Sequence, residues 1–313
     1  MLFQPLTARP IFKMHLPKIS IVTPSYNQGQ FIEQTILSII NQGYPNLEYI
    51  IIDGGSTDNS IEVIKKYAHH LKYWVSEKDR GQAHAINKGL KHCSGEIFNW
   101  INSDDHLADG ALTKVAEMFG KSGVELVAGA VIDFNEEGGQ REVVNENLSL
   151  DEYLKNEVQL IYHQPAVWLR MDAMKAVGAF NEDLHFCFDQ EYMMRYLLRY
   201  SNVEYSDDVL AWFRLHQNSK TVARAEHFAW DFRQMYRNFW LSQKGSDLER
   251  TAKRKFLDYE WPLLNNTINR ADRSRFTNFL VALTAMMDDP QSRINKKSLG
   301  WLKHILLGGK MIL

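Results

Sequence analysis

The 313-residue chain has little cysteine and almost no net charge. Its two cysteines, Cys93 and Cys187, are too few for a disulfide framework and are not spaced like metal ligands, which is typical of a reducing compartment. Lys and Arg total 36 against 38 Asp and Glu, so no overall positive field exists that would attract nucleic acid. We therefore expect no nucleic-acid partner, and we expect charged ligands to be recognised at a local site.

Long apolar runs are also missing. No uninterrupted apolar stretch approaches the roughly 20 residues that span a bilayer. Gln4, Arg9 and Lys13 interrupt the region where a signal peptide would have its apolar core. The 45% hydrophobic content still supports a substantial core. These features predict a globular protein on the cytoplasmic side of the membrane.

Between residues 18 and 134, short apolar runs alternate with helical patterns. We predict strands at residues 19–22, 49–52, 73–75 and 97–101, and helices at residues 31–41, 60–67, 82–92 and 111–119. A strand at residues 125–134 should form a hairpin that turns at residues 135–139. This order is typical of an α/β fold in which helices cover both faces of a mainly parallel sheet.

Polar side chains follow two of these strands at the point where each strand ends. Asp53 follows one strand, and Asn102-Ser103-Asp104-Asp105 follows another. Ligands collect at such strand ends in open α/β sheets. Mg²⁺ and Mn²⁺ are commonly held by one or two carboxylates plus substrate phosphates. We therefore expect Asp104 to face a divalent cation and Asp53 to bind a nucleobase. The alternative to the metal site is a solvated turn in which Asp105 caps the following helix.

Two other strand ends carry further candidates. The first strand leads into Thr23-Pro24-Ser25-Tyr26, where Pro24 removes a backbone donor. This loop either reads a flat base or is only a β-to-α connection. Asp79 and Arg80 precede the helix that contains Asn87, where they either anchor hydroxyls and phosphate or are simply exposed charges.

Two late segments have both a chemical and a structural interpretation. Asp189 and Glu191 begin a helix, where a carboxylate either caps the helix or accepts a proton from an attacking hydroxyl. Arg214, His216 and Lys220 follow a strand and could face a diphosphate, although a single histidine is more often structural.

Taken in order, these segments resemble the family 2 glycosyltransferases of the GT-A fold, from about residue 18 to residue 220. The resemblance implies a Rossmann-like, mainly parallel sheet flanked by helices, with a helical C-terminal extension. We predict an N-terminal extension at residues 1–17, a GT-A domain at residues 18–222 and a helical region at residues 223–313. Within the GT-A domain, the nucleotide-binding half ends near residue 135 and the acceptor half takes in residues 150–222.

The resemblance also implies roles for individual residues. Asp189 would be the catalytic base, and Asp104 and His216 would bind the metal. Asn102 departs from the family's Asp-X-Asp motif, so the metal site carries less negative charge. The nucleotide and donor sugar would contact Thr23, Pro24, Tyr26, Asp53, Asp79, Arg80, Asn87, Asn102 and Ser103. The candidate contacts for acceptor or diphosphate are Asp105, His163, Glu191, Arg214 and Lys220.

An enzyme of this kind would be an inverting glycosyltransferase that uses Mn²⁺ or Mg²⁺ and a UDP-, dTDP- or GDP-linked sugar. Its acceptor would be a saccharide or a lipid-linked saccharide in bacterial surface-polysaccharide synthesis. The alternative is a non-catalytic sugar-nucleotide-binding or assembly subunit of the same fold. The presence of both Asp104 and Asp189 argues against this alternative. A dinucleotide enzyme would need a Gly-X-Gly-X-X-Gly turn, which the sequence lacks.

The carboxyl-terminal segment suggests contact with the inner face of the cell membrane. Residues 291–313 contain Arg293 and four lysines but no Asp or Glu. Leu299, Leu302, Ile305 and Leu306 would share one face of a helix. Such a segment either lies on an anionic membrane surface or packs as a terminal helix on the preceding helical region.

Overall fold

The computed structural model describes residues 16–155, 162–216, 225–268 and 274–288, together with Leu299, Gly300, Leu302, Lys303 and Ile305. These residues form two compact units. The first unit takes in residues 16–149, 162–182 and 192–216. The second takes in residues 150–155, 183–191 and the described residues from 225 onward. The chain therefore passes between the units several times, and the domain boundaries at residues 17 and 222 stay a prediction.

The described part of the first unit contains one nine-stranded sheet with the order β3-β2-β1-β4-β8-β6-β9-β5, in which β7 pairs with β6. The strands are β1 (Ile19–Ser25), β2 (Leu47–Asp53), β3 (Tyr73–Ser76), β4 (Ile97–Trp100), β5 (His106–Leu107), β6 (Leu126–Phe134), β7 (Gln140–Val144), β8 (Val167–Arg170) and β9 (Val203–Arg214). Helices α1 (Ile32–Ile40), α2 (Ser60–Lys66), α3 (Gln82–Leu90), α4 (Ala111–Phe119) and α6 (Met171–Val177) belong to the same unit. Helix α5 (Leu150–Lys155) belongs to the second unit.

The sheet has a parallel half and a mixed half. Strands β3, β2, β1 and β4 are parallel neighbours, as the alternating pattern predicts. Beyond β4, strand β8 is antiparallel to both β4 and β6, while β9 is parallel to β6 and antiparallel to β5. The predicted hairpin is confirmed, because β6 and β7 pair across residues 135–139. The carboxyl ends of the four parallel strands share one edge of the sheet.

Isoleucine-rich strands form the centre of this unit. Ile50, Ile51 and Ile52 are consecutive in β2 and all fully buried, as expected for a strand that helices cover on both faces. Helix α3 approaches β1 closely, since a Cβ added at Gly89 would lie 2.6 Å from a methyl group of Val22. A larger residue at position 89 would force the helix away from the strand.

A network around Glu48 joins β1, β2 and the loop before β4. The Glu48 carboxylate accepts hydrogen bonds from Ser20 Oγ at 2.7 Å, from Lys72 Nζ at 2.6 Å, and from the amide and hydroxyl of Ser94 at 2.7 and 2.5 Å. Burial alone would raise the pKa of Glu48, but these hydrogen bonds outweigh it and lower the pKa from 4.5 to about 2. The charged form is therefore favoured in the folded chain.

We expect Glu48→Gln to destabilise the chain by about 1–3 kcal/mol at pH 7, because the amide cannot accept all four bonds. The folded pKa lies below the unfolded value of 4.5, so this contribution is present above pH 4.5 and disappears as the pH falls toward 2. Urea unfolding at pH 7 and at pH 3 measures both effects. Glu117→Gln, on an exposed position of α4, is the control. A difference between wild type and Glu48→Gln that does not shrink at pH 3 would contradict this account.

The second unit is mainly helical. Its long helices are α8 (Ala225–Ser242), α9 (Glu249–Ile268) and α10 (Arg275–Asp288), and the first turn of α7 (Phe188–Leu197) also belongs to it. Aromatic rings stack between α8 and α9, where the centroids of Trp240 and Phe256 are 5.6 Å apart. No described helix is long and apolar enough to cross a membrane.

Most of the carboxyl-terminal segment predicted to contact a membrane lies outside the described residues. Leu302 and Ile305 are described, and both are buried in a cluster with Ala282 and Met286 of α10. Leu299 is exposed. Two of the four apolar residues assigned to the membrane-facing side therefore pack inside the second unit, as the alternative interpretation of this segment expects.

Candidate active site

The loops after β1 and β2 are hydrogen-bonded to each other. The Asn27 amide donates to Ser56 Oγ at 2.7 Å, and the Thr57 amide donates to Asn27 Oδ1 at 2.8 Å. Asn27 has a φ of +50°, a left-handed conformation that asparagine adopts more readily than most residues. Its neighbour Tyr26 is 60% exposed, so the Tyr26 ring is accessible to a ligand.

The other candidates of the first loop lie in the interior. Thr23 is fully buried, and its hydroxyl lies 3.1 Å from the hydroxyl of Tyr49. Pro24 is buried within β1 as well. Among the candidates of this loop, only Tyr26 presents its side chain to solvent. The Thr23 side chain therefore belongs to the core, and a contact between Thr23 and a nucleobase stays a prediction that would have to use its backbone.

Asp53 is fully buried at the end of β2. Its carboxylate accepts hydrogen bonds from the amides of Gly55 and Ser56 and from the hydroxyls of Ser56 and Ser76, at 2.5–3.1 Å. Gly55 has a φ of +84°, which a residue with a side chain rarely adopts. These bonds fix the loop around the strand end. Contact between Asp53 and a nucleobase stays a prediction.

Asp79 shapes the loop after β3. Its Oδ1 accepts a hydrogen bond from the Gly81 amide at 2.8 Å. A Cβ added at Gly54 would lie 2.8 Å from Asp79 Oδ2, so the loops after β2 and β3 approach each other closely. The edge that carries Asp53 therefore also carries Asp79, as predicted for adjacent parallel strands.

Arg80 and Asn87 meet at Glu182. Arg80 pairs with one carboxylate oxygen, and Asn87 Nδ2 donates to the other at 2.9 Å. Burial alone would raise the pKa of Glu182, but the hydrogen bonds from Asn87 and Arg80 lower it. Asn87 also donates to the Phe180 carbonyl at 2.9 Å and accepts from the Phe180 amide at 3.0 Å. Asn87 therefore holds the chain around residue 180, and its contact with the donor stays a prediction.

The departure from the family motif at position 102 has a structural reason. Asn102 Nδ2 donates to Asp105 Oδ2 at 3.1 Å, and Asn102 Oδ1 accepts from Gln82 Nε2 at 2.6 Å. An aspartate at this position could not donate to Asp105 and would place a second carboxylate beside a buried one. Ser103 is buried.

Asp105 is a buried anchor between the loop after β4 and strand β9. It is 1% exposed, and its Oδ1 accepts from the Arg214 amide at 3.0 Å. Burial, followed by the charge of Asp104, raises the pKa of Asp105 well above its usual range. Asp105 does not cap α4, which begins after Gly110, so that interpretation is wrong. A contact between Asp105 and the acceptor or diphosphate stays a prediction.

Arg214 is buried between two aromatic rings. Its guanidinium carbon lies 4.6 Å from the centroid of Phe31 and 4.5 Å from that of Phe134. Its Nε donates to the Asp104 carbonyl at 3.0 Å, and a terminal nitrogen donates to Gln34. Arg214 therefore supports the backbone of Asp104 from within the protein instead of presenting an exposed cation to a diphosphate. Lys220, its predicted companion, lies outside the described residues.

Asp104 and His216 lie 112 residues apart in sequence and meet in space. His216 Nε2 is 3.0 Å from Asp104 Oδ2, and the two side chains are 10% and 19% exposed. The His216 ring also contacts Phe31, with centroids 5.0 Å apart. This pair is the predicted metal site, and it leaves one oxygen and one nitrogen donor near the surface.

The donor set fits a cation that a phosphate ligand helps to hold. Two adjacent ligands of an octahedral ion, each at about 2.1 Å, lie about 3.0 Å apart, which matches the separation of Asp104 Oδ2 and His216 Nε2. Within the described ranges, no group of three or more His, Cys, Asp or Glu side chains could bind a metal. A cation here would therefore need further oxygens, which a diphosphate together with water can supply.

His163 pairs with a different carboxylate. Its Nε2 lies 3.4 Å from Asp133 Oδ1, and its ring is edge-on to Phe213. Asn145 accepts from the His163 amide at 2.7 Å and donates to the His163 carbonyl at 3.1 Å. Asp133 and His163 therefore form a second, mostly buried acid-imidazole pair of the first unit, and contact with an acceptor stays a prediction.

Asp189 and Glu191 belong to the second unit, at the start of α7. Gln190 Nε2 lies 3.5 Å from Asp189 Oδ2, and Gln190 Oε1 accepts from the Tyr153 hydroxyl at 2.9 Å. Burial, followed by the negative charge of Asp189, raises the pKa of Tyr153 well above its usual range. Tyr153 therefore stays neutral beside the carboxylate. Catalysis by Asp189 stays a prediction, as does an acceptor contact by Glu191.

Sequence reasoning missed Glu182 and Gln34, which position predicted site residues. Glu182 holds Arg80, and Gln34 holds Arg214. Both are far in sequence from the residues that they contact, and neither follows a predicted strand. A pocket of about 750 Å³ lies along α1, with Gln34 in its wall, but none of the predicted site residues line it. We place the site at the strand ends, where the predicted residues meet.

A parallel half-sheet with acidic loops at its carboxyl edge, joined to a mixed half-sheet, defines the GT-A class of fold. Solved structures agree. S. aureus TarS 1–349 in complex with UDP-GlcNAc matches with a TM-score of 0.61 at 18% identity, over 92% of this chain and 81% of that one. The mannosyltransferase PcManGT from Pyrobaculum calidifontis, in complex with GDP-Man and Mn²⁺, matches with a TM-score of 0.57 at 18% identity, over 93% and 85%.

The family model for glycosyl transferase family 2 matches residues 20–178, just over half of the chain. The chain belongs to this family, which confirms the resemblance. An uncharacterized glycosyltransferase of Haemophilus influenzae is 34% identical over 141 residues. That alignment covers 44% of this chain and 56% of the relative, so the similarity extends over little more than half of the relative's length.

Proposed function

We propose that this chain is an inverting glycosyltransferase that moves a sugar from a nucleoside-diphosphate sugar to an acceptor hydroxyl. The observation that carries the proposal is the Asp104 and His216 pair, whose atoms meet at 3.0 Å near the surface. Buried Asp105 and Arg214 tie the backbone of Asp104 to strand β9, which ends two residues before His216. A carboxylate that is held in place and partly exposed can bind a divalent cation. The cation can in turn bind a ligand that is itself negatively charged, such as a diphosphate.

The nucleotide would lie along the carboxyl ends of the parallel strands. Tyr26 offers an exposed ring to the base, and Asp53 fixes the shape of the neighbouring loop. Asp79 and Arg80 would contact the donor sugar, with Glu182 limiting where the guanidinium can reach. Asp104 and His216 would hold Mn²⁺ or Mg²⁺ together with the diphosphate.

The reaction would be a single displacement. The acceptor oxygen forms a bond to the anomeric carbon, and the bond from that carbon to the diphosphate oxygen breaks. The nucleoside diphosphate leaves with the bonding electron pair, and the bound cation would supply positive charge that stabilises this leaving group. Asp189 accepts the proton of the acceptor hydroxyl. Attack from the face opposite the leaving group inverts the configuration at the anomeric carbon.

The ligands of two structural neighbours support the proposed donor class. TarS 1–349 binds UDP-GlcNAc and PcManGT binds GDP-Man with Mn²⁺, which supports a UDP-, dTDP- or GDP-linked sugar here. We propose a saccharide or lipid-linked saccharide acceptor, at the inner face of the cell membrane, in surface-polysaccharide synthesis. Basic residues such as exposed Lys303 would favour an anionic surface. Co-sedimentation of the full chain with anionic vesicles measures this association.

A screen of nucleotide sugars for slow hydrolysis, with and without Mn²⁺, tests the proposed activity. We expect one donor to be hydrolysed faster with Mn²⁺ than without it. Calorimetry with the same donors separates binding from catalysis. Binding without turnover, even when saccharide acceptors are added, would favour the non-catalytic subunit, and the absence of any binding would overturn the proposal.

A further inference from the structure

Helix α10 has two apolar faces, and the described residues of the second unit cover only one of them. Ala282 and Met286 are buried in a cluster with Leu302 and Ile305. On another face, Phe276, Leu280, Leu283 and Met287 are 64%, 45%, 39% and 60% exposed. We call these four residues the α10 stripe. Scattered exposed apolar residues are ordinary, but four in a row on one helix indicate an interaction surface.

The spacing of the α10 stripe is that of a helix-pairing seam. Its members are separated by four, three and four residues, so they lie within about 60° of the helix circumference. Alternation of three and four is the pattern by which two helices pack along their length. The partner that best fits such a seam is another helix.

The α10 stripe is also complementary to itself when reversed. The pattern is symmetric about the midpoint between Val281 and Ala282. If two copies of α10 pack antiparallel, Phe276 lies opposite Met287 and Leu280 lies opposite Leu283, so each large side chain meets another. A two-fold symmetric dimer requires this kind of self-complementary surface.

The charges at the ends of α10 favour the same arrangement. Arg275 is the first residue of the helix, and Asp288 is its last. These charges oppose the dipole of their own helix, because anions are favoured at the amino end and cations at the carboxyl end. In an antiparallel pair, the basic end of each helix would lie beside the acidic end and the negative dipole end of the other.

We propose that a second copy of this chain docks on the α10 stripe and forms an antiparallel, two-fold symmetric dimer. The contact extends over about three helical turns, which buries less than the roughly 1,600 Å² of a standard interface. The dimer therefore forms weakly, in the micromolar range of dissociation constants. The dimer contact uses α10 and none of the residues assigned to sugar transfer, so dimer formation does not depend on the proposed function.

Analytical ultracentrifugation of the full chain from about 1 to 200 μM tests the association. We expect a concentration-dependent shift from monomer to dimer. Leu280→Glu with Leu283→Glu should weaken association at least tenfold, because like charges would face each other across the two-fold axis. Both side chains are exposed, so the variant should fold. Leu241→Glu changes an exposed leucine of α8 outside the stripe and should leave association unchanged.

Cross-linking distinguishes the antiparallel arrangement from a parallel one. Phe276→Cys and Met287→Cys chains, mixed and treated with a short bis-maleimide, should give covalent dimers. Either variant alone should give few, because two copies of the same position would be separated by about 16 Å along the helices. Wild-type cysteines are the background, measured with the unsubstituted chain.

Three outcomes would overturn the proposal. The first is a chain that stays monomeric at 200 μM. The second is a dimer that the paired glutamates leave intact. The third is cross-linking of each cysteine variant with itself, which would indicate parallel helices. If the wild-type chain is monomeric and binds vesicles, and the paired glutamates abolish that binding, the α10 stripe would be assigned to a membrane surface instead.

Discussion

An Asp189→Asn chain is expected to bind the donor with near-normal affinity and to lose sugar transfer by about 10²–10⁴-fold. The amide keeps the size and shape of the carboxylate but cannot accept a proton from the acceptor hydroxyl. Turnover and donor affinity, measured on the same preparation, give the result. Tyr153 stays neutral beside Asp189, so its hydroxyl does not supply a charged base in place of the lost carboxylate.

Asp172→Asn is the matched control, since the Asp172 side chain is 93% exposed on α6 and should tolerate the change without effect. Near-normal turnover in Asp189→Asn would mean that Asp189 is only part of the helix start. A parallel loss of turnover and of thermal stability would point to the same structural role.

The second large effect is expected at Asp104. Asp104→Ala should weaken binding of a nucleoside diphosphate at least tenfold in the presence of Mn²⁺ and change it little in the absence of the ion. The substitution removes the carboxylate oxygen that lies 3.0 Å from His216 Nε2, and with it half of the protein's donor set. Calorimetry with UDP and GDP, each with and without Mn²⁺, measures the difference.

Asp109→Ala is a suitable control for this experiment, because Asp109 is an exposed aspartate a few residues further along the same segment. Equal losses with and without Mn²⁺ would mean that Asp104 supports the fold or contacts the sugar directly. An unchanged affinity under both conditions would remove Asp104 from the site altogether.

Local pattern was enough to predict most of the first unit. The alternation of short apolar runs with helical patterns placed β1 to β4 and the helices between them to within a few residues, because strand and helix patterns are properties of residues close together in the chain. It missed β5, which has only two residues and exists because His106 and Leu107 pair with β9. It also gives little sign of the start of β9, since residues 203–208 carry mostly polar side chains.

The candidate site residues also fall into those that local pattern predicts and those whose position depends on tertiary packing. Tyr26, Asp79 and Asp104 could be predicted because each one follows an apolar strand, and parallel strands end at a common edge. Thr23, Asn87 and Asp105 matched the family motif equally well, yet their contacts are with the protein. The sequence does not distinguish these two groups, because burial depends on what packs above each strand end.

The sequence by itself determined the family, the order of strands and helices in the parallel half-sheet, and the strand ends that carry acidic groups. Each of these depends on residues that are close together in the chain. Only the tertiary structure decided that His216 meets Asp104, that Glu182 joins Arg80 to Asn87, and that Asn102 supports a buried Asp105. The first two contacts join residues about 100 positions apart, which strand pairing brings to one edge of the sheet. The third joins neighbours in sequence and depends on the burial of Asp105.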